Sequence, residues 1–205
     1  MKLVNNFDLF REKMNWNNND EFYFVQILIR GKDGHNEPGV NGNNKNRLIK
    51  FYTIRSLEDL NKFESEIKSI CKAINGRAYV HPTKRSFNDV ADECLRVTTD
   101  AYLCKANLTL KSAYSTACGK TFITKDKQFV VDLDGDNVKN VEKIIQFIEY
   151  HCQPFNCIKY QYSVPTAHGL HLITLPFNRE KFAENYPDID VHSNSPTLLY
   201  FECND

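Results

Sequence analysis

Apolar residues recur along this chain with two different periods, and each period predicts a kind of element. Residues 21–30 (EFYFVQILIR) and 47–54 (RLIKFYTI) are β-branched and aromatic runs, which predict two strands. The Gly- and Asn-rich stretch 31–46 between them predicts a hairpin with a long connection. After Ser56 the spacing changes to threes and fours: Leu57, Leu60, Phe63, Ile67, Ile70 and Ile74 form one helical face, with Ser56 as N-cap and Glu58 and Asp59 in the first turn. That helix is predicted to stop at Asn75-Gly76. A short strand at 77–81 is closed by Pro82. Ser86 then caps a second helix carrying Phe87, Val90, Ala91, Cys94, Leu95 and Val97, and a shorter helix at 110–118 ends at Gly119.

The second half alternates more plainly. Strands are predicted at 128–134, 157–162, 168–175 and 197–203, with helices at 138–151 and 178–185. The order is β-α-β-β-α-β, the split unit of ferredoxin-like and RNA-recognition (RRM) folds, in which the first and third strands lie side by side and antiparallel. The predicted fold class is therefore α+β. A basic α/β module (1–125) precedes an RRM-like module (126–205), the two packed as one body.

Composition narrows the setting. The 205 residues are 41% hydrophobic, enough for one sizeable core. No apolar run approaches the roughly 18–20 residues of a membrane span, and the first residues are broken by Asn5, Asn6 and Asp8. Seven scattered cysteines without a C-x-x-C pattern argue against a disulfide framework and a zinc ribbon. The expectation is a cytoplasmic protein with reduced thiols and no membrane partner. Formal net charge is zero, yet residues 1–125 hold 20 Lys plus Arg against 14 Asp plus Glu, and 126–205 hold 6 against 12. The halves thus carry +6 and −6, a division suited to gripping phosphates on one side and cations on the other.

The acidic half contains the candidate chemistry. Asp132 and Asp134 stand two apart at the end of a strand, so period two aims both carboxylates at one face. Convergent carboxylates repel unless a cation neutralises them, and Mg²⁺ or Mn²⁺ takes such oxygen ligands together with substrate phosphates. The antiparallel third strand brings Thr166-Ala167-His168-Gly169-Leu170-His171 beside them. The segment Asp188-Ile189-Asp190-Val191 is expected at the same end of the sheet. A calcium loop is excluded, because the sixth position after Asp132, Asp134 and Asp136 is Asn137 and the twelfth is Lys143.

Val130-Val131-Asp132-Leu133-Asp134, Thr166-Ala167-His168-Gly169-Leu170-His171 and Ile189-Asp190-Val191 together resemble the signature of the archaeo-eukaryotic primase and primase-polymerase superfamily, over roughly residues 126–203. The resemblance implies metal ligation by Asp132, Asp134 and Asp190, and triphosphate contact by Thr166, Gly169 and His171. It further implies nucleoside triphosphates as substrates, a DNA or RNA template or primer, and a separate helicase or replication protein as partner. The chain lacks the zinc element and helical C-terminal domain often found in such primases, so it looks like a bare catalytic core. In the first half, Arg77, Lys84 and Arg85 are the expected phosphate grips, where a strand feeds a capped helix. Two other functions stay open: a non-catalytic nucleic-acid- or partner-binding module on the same fold, and a haloacid dehalogenase-like phosphatase, which Val131-Asp132-Leu133-Asp134-Gly135 also resembles and which would need a doubly wound sheet.

Overall fold

The structure, a computed structural model, describes residues 2–31 and 46–202. The expected 31–46 connection lies, but for its two ends, outside the described residues. The chain opens with strand β1 (Leu3–Asn5) and helix α1 (Phe7–Lys13), neither of which the pattern predicts, because segments this short show no period. Strands β2 (Glu21–Ile29) and β3 (Arg47–Ile54) pair antiparallel as expected, with Tyr23 opposite Ile54 and Ile29 opposite Arg47. Helix α2 (Leu57–Ile74) starts where the Ser56 hydroxyl accepts from the Asp59 N–H at 3.2 Å, and stops where Asn75 turns left-handed at φ 48°. Strand β4 (Arg77–Val80), the short β5 (Arg85–Ser86), α3 (Phe87–Leu103) and α4 (Leu110–Lys120) complete the first half.

The second half runs β6 (Phe129–Asp134), a 3₁₀ turn (Gly135–Asn140), α5 (Val141–His151), β7 (Tyr160–Pro165), β8 (Gly169–Thr174), α6 (Arg179–Asn185), β9 (Val191–Ser193) and β10 (Thr197–Glu202). The fold is α+β with two antiparallel sheets. One has the order β1-β10-β4-β2-β3, with β5 added against β2; the other has the order β7-β8-β6-β9.

The last strand corrects the sequence reading. It was expected to close the second sheet, but β10 leaves that sheet and inserts between β1 and β4 of the first. All six residues of β10 are buried, and such a run is satisfied only at a central position covered on both faces. The place beside β6 goes to β9, only three residues long and without an apolar period. The 126–205 segment therefore donates a strand to the sheet built by 1–125.

Alternation along the strands decides the cores. On β2, Tyr23, Val25 and Ile27 face a core shared by α1, α2 and the second sheet, where Val130, Val164 and Ile173 meet Phe7, Phe10 and Leu60. Phe22 and Phe24 face the other way, toward α3 and α4. On β6, Phe129, Val131 and Leu133 pack against α5 and α6, which leaves Val130, Asp132 and Asp134 on the opposite side. Helix α3 departs from its expected apolar face: Val90 is buried, but Leu95 is 69% exposed. The six described cysteines are free thiols. No helix among the described residues is long and apolar enough to cross a membrane.

Candidate active site

The register of β6 against β8 sets Asp132 opposite His171 and Asp134 opposite Gly169, the neighbour relation expected from the strand order. Opposed residues of an antiparallel pair share a face, and His171 Nε2 lies 3.2 Å from Asp132 Oδ1, the side chains being 15% and 36% exposed. The hydrogen bond from His171 is the main cause holding the Asp132 carboxyl below its ordinary value, against the opposing effect of burial. Asp134 is exposed at the strand end.

The turn before β8 is tied to itself. Thr166 N–H donates to the Gly169 carbonyl at 3.0 Å, and Thr166 Oγ1 accepts from the Gly169 N–H at 2.9 Å. Ala167 in this turn packs on Val4, Leu198 and Phe201, and buried Asn6 donates to the carbonyls of Pro165 and Leu198. The turn is thus anchored to the first sheet. Gly169 has no room for a side chain, since a Cβ there would overlap the Leu133 carbonyl and stand 2.7 Å from Asp134 Oδ1.

Asp190 arrives where expected, but by its main chain: its carbonyl accepts from the Asp132 N–H at 2.9 Å. Its residue borders an open groove of about 670 Å³ with Asn178, Arg179 and Val191. Among the described residues no group of three or more His, Cys, Asp or Glu side chains is gathered to hold a metal ion. Asp132 and Asp134 are the carboxylates on this face that could hold a hard cation, the first held below its ordinary value and the second exposed.

The expected phosphate grips need correction. Lys84 is buried, 2.6 Å from Glu21 Oε2 and 3.2 Å from Asp126 Oδ2. Arg77 is buried with its guanidinium 4.4 Å from the Phe201 ring centroid. Arg85 is fully buried and donates to the carbonyls of Cys118 and Thr83, to His81 Nδ1 and to Asn194 Oδ1. These cations are committed inside the protein, because a buried charge is tolerated only when paired and hydrogen-bonded. The residues missed by sequence reasoning are Thr197, Arg30 and His192. Thr197 meets His171 Nδ1 at 2.8 Å; His192, opposite Val130 in the β6–β9 pair, shares the face of Asp132. None carries a motif; Thr197 and His192 reach the site through pairings between distant segments, and Arg30 acts on Asp132 through its charge.

The Arg85 cluster has a pH consequence. A guanidinium can only donate, so His81 Nδ1, 2.8 Å from it, accepts and the ring is neutral. Burial first, and the Arg85 charge second, hold His81 well below its ordinary value. An unfolded chain protonates this histidine as pH falls through about 6.5, while the folded chain does not. The unfolded state then binds the extra proton, so stability declines toward acid, by up to about 1.4 kcal/mol per pH unit. Urea denaturation from about pH 7 to about pH 5 is expected to show this decline, and a smaller one in His81→Asn, whose Oδ1 still accepts from Arg85. Equal slopes in the two proteins would refute it.

Comparison of the chain with protein-family models, with curated proteins and with solved structures finds no match.

Proposed function

We propose that this protein is a metal-dependent nucleotidyltransferase of primase-polymerase type, extending or making a nucleic-acid primer from nucleoside triphosphates in the cytoplasm, alongside a separate helicase or replication protein. The observation that carries the reading is the cross-strand set of Asp132, Asp134, His171 and the Thr166–Gly169 turn on one exposed strand end. The order β6-α5-β7-β8-α6-β9, with β6 beside β8, supports reading this half as the split ferredoxin-like unit, with β9 as its fourth strand. Every strand pair among the described residues is antiparallel, which speaks against the phosphatase alternative and its doubly wound sheet.

Asp132 and Asp134 would hold Mg²⁺ or Mn²⁺, which would supply charge neutralisation at the triphosphate and at the attacking 3′-hydroxyl. His171, its Nε2 turned to the Asp132 side, is placed to donate to a phosphate oxygen. Thr166 Oγ1 accepts from the turn's own amide, which keeps its hydroxyl proton available for the same purpose. Arg30 adds positive charge around Asp132.

Primer extension with Mg²⁺ or Mn²⁺ tests this. Asp132→Ala combined with Asp134→Ala is expected to lower the rate at least about 100-fold, the loss that removing several kcal/mol of charge stabilisation produces. Circular dichroism is expected to show the double variant folded, since both side chains sit at an open strand end. Undiminished extension by the folded variant would remove the assignment.

A further inference from the structure

Thr197 is the first residue of β10 and fully buried. Among the described residues its hydroxyl has one hydrogen-bond partner, His171 Nδ1 at 2.8 Å. A threonine hydroxyl carries a single proton, and a buried donor left unpaired forfeits its hydration without return. The proton therefore goes to Nδ1. A ring nitrogen that accepts is unprotonated, so the imidazole carries its proton on Nε2, the atom 3.2 Å from Asp132 Oδ1. Both ring nitrogens are then satisfied: Nδ1 by a donor from the first sheet, and Nε2 by an acceptor in the second.

We propose that Thr197 is a positioning residue for His171: its hydroxyl donates to Nδ1, keeps the ring in the Nε2–H form, and fixes the plane in which that N–H is presented at the metal and phosphate face. The structure also shows what holds Thr197 still. The link from β9 to β10 passes through Asn194, in the left-handed region at φ 61°. Asn194 Oδ1 accepts from Arg85, and its Nδ2 donates to the Gly119 carbonyl at 2.7 Å. Thr197 follows three residues later, already paired with Val80 of β4. The orientation of a histidine on the second sheet is thus set by a strand that the same chain segment lends to the first. Only the consequence for nucleotide handling rests on the function proposed above; the hydrogen bond itself does not.

The test uses Thr197→Val, which keeps the shape and removes the hydroxyl, and Thr197→Ser, which keeps the hydroxyl. In ¹⁵N-histidine-labelled protein at constant neutral pH, without metal or nucleotide, His171 Nδ1 is expected to resonate as an unprotonated, hydrogen-bonded nitrogen. It should move toward the free unprotonated position in Thr197→Val and return in Thr197→Ser. A protonated Nδ1 in the parent, or an Nδ1 unmoved by Thr197→Val, overturns the proposal. In primer extension, Thr197→Val is expected to raise the nucleotide KM about 10-fold with a smaller change in kcat, and Thr197→Ser to restore it. An unchanged KM alongside a displaced Nδ1 would refute the positioning role. If the parent extends no primer while the Nδ1 pattern holds, the assigned function fails and the hydrogen bond stands.

Discussion

Arg85→Met is expected to destabilise the protein by about 3–5 kcal/mol, through the loss of a buried hydrogen-bond network. The guanidinium donates through four of its five N–H groups, to two carbonyls, to His81 Nδ1 and to Asn194 Oδ1. Methionine fills much of the same space and supplies none of these hydrogens, so four acceptors lose their donor, three of them in fully buried bonds. Each such loss costs about 1–3 kcal/mol when isolated, and the sum is reduced because the group relaxes as a unit. For a chain of this size the melting temperature falls by roughly 10 °C. Arg85→Lys should recover only part of the loss, since an ammonium brings three donors and no planar fork. Urea unfolding is the measurement, and a change below about 1 kcal/mol for Arg85→Met would show that the network is not holding the β9–β10 link.

The second large effect is expected at Gly169. Alanine there places a methyl group into the Leu133 carbonyl and 2.7 Å from Asp134 Oδ1. The carboxylate end of Asp134 can turn aside, but the Leu133 carbonyl is backbone of β6 and cannot. The strands must separate beside Asp134, at a cost of about 1–3 kcal/mol or more for overpacking. Because the displacement centres on Asp134, Mn²⁺-dependent nucleotide binding should weaken by at least about 10-fold even in the fraction that stays folded. Gly169→Ala with parental stability and parental nucleotide affinity would mean that the close approach of β8 to β6 is not required. An exposed control within α4, Gly119→Ala, meets no atom within 4 Å and should leave nucleotide affinity unchanged with no loss of stability.

Much of the fold is legible in the residues. The 3.6 period and the Ser56 cap locate α2, and the alternating run before Asp134 locates β6. From the order of elements, β6 and β8 are neighbours, and Asp132 then meets His171. The D-x-D pair is readable because two residues on one strand share a face whatever surrounds them. Other parts are not legible. Thr197–Glu202 reads as a buried strand, but nothing in TLLYFE says which sheet receives it. Lys84 and Arg85 look like a surface grip because their types are usually solvent-exposed. Their partners, Glu21, Asp126, Cys118 and Asn194, stand tens of positions away in the chain.

The sequence by itself determined what depends on neighbours within a few residues: strand and helix periods, caps, turn positions and the shared face of Asp132 and Asp134. The tertiary structure alone decided the placement of β10 in the first sheet, the inward commitment of Lys84 and Arg85, and the meeting of Thr197 with His171. The physical reason is range. Backbone geometry and side-chain spacing act locally and are written along the chain. Burial of a charge, or the choice of a hydrogen-bond partner for a hydroxyl, depends on which distant segments exclude water together.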